Sequence, residues 1–229
     1  IRRLSHNLVS RVRIALSLYA LWHDDGSNDH LIVHDLRIPR TLLGLGVGAA
    51  LGLAGAVMQG VTRNPLADPG ILGVDAGAAL AVVVAIHTFS VGTLGGYVWF
   101  AFAGAAVASV TVYLLGSLGR GGATPVKLAL AGAALSALLR AITSAVLLLD
   151  IRTLDQFRFW LAGSLAGRGA EIVAGTVPFI VAGIALALLS ARTLNTLSLG
   201  DDVARALGVR VPLARATSAL AVVVLCGAA

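Results

Sequence analysis

Five long apolar runs constrain this chain more than any other feature, at Thr41–Val61, Ile71–Val91, Leu94–Leu118, Val126–Leu149 and Ile172–Ala191, and a sixth opens near Leu213. A helix of about 20 such residues crosses the hydrocarbon of a bilayer. No water is available there for peptide groups, so only helices or a closed barrel can span it. The runs lack the alternation of apolar and polar residues, and the regular turns, of barrel strands. The sequence therefore predicts an all-α, polytopic membrane protein. Composition agrees: 58% of the 229 residues are hydrophobic, 12% are charged and the mean hydropathy is +0.91. A water-soluble globule, at roughly 45–50% apolar, is excluded.

Several classes of chemistry fall away. The net charge of +6 comes from basic residues scattered through the polar gaps, without a stripe that nucleic acid would need. A single cysteine, Cys226, can form neither an internal disulfide nor a thiolate metal site. The sole lysine, Lys127, lies between Val126 and Leu128, so no phosphate loop exists. Gly44-Leu45-Gly46-Val47-Gly48-Ala49 loosely echoes a dinucleotide fingerprint but sits inside an apolar run instead of following a strand. The chain is expected to hold no cofactor and no metal, and to be no enzyme.

The gaps carry local signals. In Arg63-Asn64-Pro65-Leu66-Ala67-Asp68-Pro69-Gly70, two X-Pro steps force Asn64 and Asp68 out of helical geometry, so the chain turns. Gly119 to Pro125 makes a second short connection, and residues 150–171 and 192–212 are longer polar stretches. Pro178 predicts a kink within the fifth span. Residues 1–40 are mixed and charged, with an apolar patch at Ile14–Trp22 too short to span, and are placed outside the hydrocarbon; residues 41–229 form the membrane domain. The start at Ile1 and the stop at Ala229 inside an apolar run lead us to expect a longer parent chain. With alternating spans, the Lys/Arg count is nine on one side and seven on the other, which leaves orientation open.

Three features within or between the runs invite a role. Gly44, Gly48 and Gly52, with Gly55 nearby, line one helix face and predict close packing against another helix, of this chain or a second subunit. Asp75 and Arg140 are charges inside apolar runs. Asp75 near a helix start suits the helix dipole better than a proton relay. Arg140 fits either an aqueous pathway or a side chain that reaches an interface or pairs internally. Finally, the stretch from Asn195 to Gly208 reads as a short helix capped by Gly200 or Asp201, with acids in the first turn and Gly208 as terminator. So short a helix needs a supporting surface, a partner's or the chain's own.

Taken in order, Leu36-Arg37-Ile38-Pro39-Arg40-Thr41-Leu42, the stretch from Gln59 to Val74, Trp160-Leu161-Ala162-Gly163-Ser164-Leu165, Leu194-Asn195 and the stretch from Leu199 to Gly208 resemble the FecCD-type permeases of ATP-binding-cassette importers for iron–siderophores, haem and vitamin B12. The Asn-Pro-Leu-Ala-Asp-Pro-Gly and Leu-Gly-Asp-Asp segments are the specific ones. The resemblance implies a ten-helix fold of which the first helix, the last three and part of the seventh lie beyond this chain. It also implies a homodimer or heterodimer of permeases in the bacterial inner membrane, two ATPase subunits that bind ATP-Mg, and an extracytoplasmic substrate-binding protein. Residues 1–40 and 150–171 would then lie outside. By the same resemblance Arg37 and Arg40 meet carboxylates of the binding protein, and Asn64, Pro65 and Leu66 with Thr124 and Pro125 line the cytoplasmic gate. Leu199, Gly200, Asp201, Asp202, Ala204, Leu207 and Gly208 would form the coupling element that docks in the ATPase. An acid at 75 and an arginine at 140 depart from the family pattern. The rival reading is an ion-coupled secondary transporter with Asp75 and Arg140 as coupling residues.

Overall fold

A computed structural model describes residues 31–119, 123–163, 165 and 169–229. The patch at Ile14–Trp22 and Ser164 lie outside the described residues. Among those described there are eight α-helices and no strand: α1 (Ile38–Thr62), α2 (Val74–Phe89), α3 (Leu94–Ser117), α4 (Pro125–Leu149), α5 (Ile151–Leu161), α6 (Ala170–Ser198), α7 (Asp201–Ala206) and α8 (Val211–Ala228). A π-helical segment, Ile32–Arg37, leads without a break into α1. Five of these helices, counting that lead-in, are long and apolar enough to cross a membrane.

Two compact units make up the chain. The first comprises residues 1–46 and 165–177. Within it Arg37 and Arg40 stand exposed on a helix that continues into α1. Gly44 lies where a Cβ would touch the Leu165 side chain at 3.5 Å.

The second unit, residues 47–164 and 178–229, holds the main core. One stripe of α1, namely Ala50, Ala54, Val57, Met58 and Val61, is buried in it. Their spacing of three and four residues is the helical period. Gly48, Gly52 and Gly55 lie on the opposite face, and a Cβ there would meet nothing within 4 Å among the described residues. The close approach expected at this stripe occurs instead between α2 and α3, where a Cβ on Gly77 would strike the Gly104 carbonyl and one on Gly104 the Gly77 carbonyl. Backbones in such contact gain the dispersion attraction that holds helices together when lipid replaces water.

The second apolar run departs most from expectation. Pro69–Leu72 forms a 3-10 turn, Gly73 adopts φ +71°, and α2 then runs for only 16 residues to Phe89. That is about 24 Å, short of the hydrocarbon thickness. The helix is an inner one: Val82, Val83 and Ala85 are fully buried. Its irregular entry is locked by α4, since a Cβ on Gly132 would collide with the Ile71 carbonyl. Only glycine satisfies both constraints, a left-handed backbone at 73 and no side chain at 132.

The other spans follow the sequence more closely. Thr124 caps α4, its Oγ1 accepting from the Lys127 amide at 3.4 Å, and Pro125 occupies the first helical position. Pro178 sits inside a continuous α6, which extends to Ser198 and absorbs the segment from Asn195 that the sequence assigned to the loop. The polar stretch 150–171 contains the unexpected helix α5, capped by Asp150. Three buried hydroxyls are satisfied within their own helices: Thr62, Thr143 and Ser190 donate to Met58, Leu139 and Leu186 carbonyls four residues back, whereas Ser109, Ser136 and Ser218 find no partner among the described residues. Aromatic contacts of Phe179 with Trp99 and Phe102, at 6.0 and 5.1 Å between ring centroids, pack α6 against α3.

Candidate functional site

At one end of the second unit three connections converge. The first follows α1, where Arg63 takes φ +51° and ends the helix. Asn64 Oδ1 then accepts from the Leu66 amide at 2.9 Å, while the Ala67 amide donates to the Asn64 carbonyl at 3.1 Å. This Asx turn, stiffened by Pro65, leaves the Leu66 side chain 88% exposed over a buried Ala67. The second connection ends in the Thr124 cap and Pro125. The third is α7, entered through Gly200 at φ +114° and left through Gly208 at φ +83°. Both glycines adopt the left-handed backbone that the start and stop signals called for.

One carboxylate joins all three connections. Arg215, the fifth residue of α8 and 7% exposed at its side chain, donates from Nη2 to Asp201 Oδ1 and Oδ2 at 3.1 and 2.9 Å, and from Nη1 to the Ala123 carbonyl. Arg63 pairs with the same Asp201 carboxylate. A buried guanidinium without a counter-ion is strongly disfavoured, so Asp201 and Arg215 depend on each other. Arg63, Ala123 and Arg215 were absent from the residues selected in the sequence. The one available signal was an arginine placed two residues after Leu213, where the last apolar run opens.

The faces of α7 are now assigned. Ala204 is fully buried among Leu197, Val211 and Ala214. It braces the helix from inside the chain, so within the expected coupling element its place is internal. Leu199, Asp202, Val203 and Leu207 are exposed, with Leu199 and Leu207 each at 63%. Gly200 and Asp201 are partly covered. Asp202 pairs with Arg205 at 2.8 Å, a surface contact between adjacent turns.

Arg140 is exposed on α4, and Asp75 is exposed in the first turn of α2. At the far end of α4, Asp150 accepts from Thr153 Oγ1 at 2.7 Å and from the Arg152 amide at 3.0 Å, and pairs with His87 Nδ1 at 3.0 Å. Hydrogen bonds from Thr153 and then His87 hold its carboxyl down to about 2. Phe157 of α5 is buried and stacks on Trp160 at 5.5 Å.

Residues 8–229, nearly the whole chain, match the model of the FecCD transport family. The chain belongs to that family. Among FecCD relatives, the ferric enterobactin transport system permease protein FepD of Escherichia coli K12 is 52% identical over 89% of this chain and 61% of its own length. The hemin transport system permease protein HmuU of Yersinia pestis is 38% identical over 94% of this chain and 66% of its own. A solved structure described as the inward-facing conformation of a metal-chelate type ABC transporter superposes with a TM-score of 0.76 at 26% identity, covering all of this chain and 75% of that one. The chain thus spans 61–66% of the length of these two curated relatives. The all-α membrane fold of this FecCD chain agrees with the expectation from the apolar runs, and it is a multi-pass protein of the bacterial inner membrane. The comparisons lend the ion-coupled alternative no support, since the relatives are transport and import system permeases.

Proposed function

We propose that this chain is the membrane-spanning permease part of an ATP-binding-cassette importer for a ferric siderophore or a related metal chelate such as haem or vitamin B12. The observation that carries the reading is α7: a six-residue helix, braced from within by Ala204, that turns Leu199, Val203 and Leu207 outward. So short a helix with an exposed apolar face is suited to a socket on another protein. Two ATPase subunits would supply ATP hydrolysis, and this chain would perform none. A second permease, identical or not, would complete the pathway, with Gly48 and Gly52 available to a close helix contact.

In this arrangement the connections that carry Leu66, Pro125 and α7 face the cytoplasm, and the end that carries Asp150 faces outward. Asn64, Pro65, Leu66, Thr124 and Pro125 are the gate. Arg37 and Arg40, three residues apart on an exposed helix, offer guanidinium forks to carboxylates of a substrate-binding protein. Arg140 is the candidate charge along the pathway.

The test uses the full-length permease. ATP hydrolysis should appear only when the partner ATPase is added; hydrolysis by the permease alone contradicts the proposal. A Leu207→Cys variant should cross-link to that ATPase. For the pathway residue, normal uptake by Arg140→Leu would remove it from the assignment.

A further inference from the structure

The exposed residues of α7 provide a surface to be pushed, but a push must also reach the gate. The tip of the first connection, Asn64, Pro65 and Leu66, is exposed, while Ala67 beside it and Ala123 in the second connection are buried. What ties these two connections to α7 is the carboxylate of Asp201. Its two oxygens take Nη2 of Arg215 at 3.1 and 2.9 Å and the guanidinium of Arg63, and Arg215 passes the connection on to the Ala123 carbonyl, one residue before the Thr124 cap. The sequence separations are 138 residues from Arg63, 14 from Arg215 and 92 between Arg215 and Ala123.

The charges make the arrangement interdependent. One carboxylate serves two guanidinium groups, so withdrawing Asp201 would leave Arg63 and Arg215 to repel each other with Arg215 buried. Arg215 Nε finds no acceptor among the described residues, so Asp201 and the Ala123 carbonyl carry all of its hydrogen bonds there. Asp202, by contrast, is almost fully exposed and pairs only within α7.

We infer that Asp201, Arg215 and Arg63 form a mechanical node that makes the two gate turns move with α7 as one body, so that Asp201 acts inward on the gate and not outward on the ATPase. The inference rests on the proposed function of α7 and adds to it the positioning residues Arg63 and Arg215. Coupling requires contiguous structure whose arrangement both sites bias, and this node is the polar link that joins the three connections.

The experiment uses the full-length permease reconstituted in proteoliposomes with its ATPase and binding protein, and radiolabelled ferric enterobactin as cargo probe. Two quantities are read: cargo imported per ATP hydrolysed, and the distance between spin labels at Leu66→Cys and Leu207→Cys with and without trapped nucleotide. In the parent complex the label distance should stay constant through the cycle. Asp201→Asn and Arg215→Lys should lower import per ATP by about tenfold while hydrolysis continues. Both should also broaden the label distance and make it nucleotide-dependent. A merely structural residue would lower import and hydrolysis together. Should those variants fail to assemble, Arg63→Gln decides, because that side chain is a third exposed and its removal leaves the Arg215 pair intact. It should loosen the Leu66 label relative to α7. An unchanged ratio and an unchanged distance in the assembled variants overturn the node. Absence of any ATPase cross-link from Leu207→Cys in the parent would overturn the proposed function instead, so the two failures are separable.

Discussion

The two ends of the second unit hold charge in opposite ways. At one end Arg215 is buried, its partner Asp201 is largely covered, and the pair joins connections that are far apart in sequence. At the other, Asp150 and His87 are both substantially solvated and join the end of α2 to the junction of α4 and α5. The first set ties a buried guanidinium to a carboxylate; the second lies largely in water, with the Asp150 carboxyl held down to about 2 by hydrogen bonds from Thr153 and His87. A buried pair is costly to break because the survivor is stranded in a medium that cannot solvate it. An exposed pair is replaced by water. Rigid linkage therefore belongs to the end with Arg215, and a solvated, replaceable pair to the end with Asp150.

The contrast can be broken most sharply at Asp201. Replacement by Ala strands Arg215 and should destabilise the unit by about 3–5 kcal/mol, measured as resistance to denaturant in detergent micelles. Next in size is Gly132→Ala, which drives a methyl against the Ile71 carbonyl and should cost about 1–3 kcal/mol in the same assay. Phe in place of Ala204 overfills the pocket under α7 and should cost a similar ~1–3 kcal/mol. Leu207→Ala on the outer face should leave stability within about 0.5 kcal/mol of the parent while weakening ATPase capture. Equal losses of stability at 204 and 207 would mean that the two faces of α7 have been misassigned.

The smallest effect is expected at Asp150. Its folded carboxyl lies below the ordinary 3.8, so its contribution to stability is full above that value and fades as pH falls towards about 2. Asp150→Asn should flatten the stability profile across that window, with its small cost largest above pH 3.8 and vanishing towards about pH 2. A parent profile already flat between pH 4 and 2 would remove the carboxylate from the account.

Much of the architecture was legible because its causes are local. The X-Pro steps after Asn64 and Asp68 announce a turn, and Gly200 and Gly208 the limits of a short helix; each depends on φ, ψ and the nearest amides. The misreadings arose where an apolar run has more than one use. Ile71–Val91 has the length of a span, yet Gly73 breaks it and leaves a 16-residue inner helix, since a hydrophobic residue is equally content against lipid or against Gly104. The glycine spacing in α1 predicted a close contact with this chain or a second subunit, and among the described residues nothing lies over Gly48 and Gly52.

The sequence alone thus determined that the chain is a set of membrane helices joined by stiff, capped turns, because helical period, apolar length and turn chemistry act over a few residues. The tertiary structure alone decided that Ala204 faces inward and that Asp201 answers to Arg215 and Arg63. Charge pairing over 14 and 138 residues leaves no periodic trace in a sequence; it exists only once packing has excluded water from the guanidinium group.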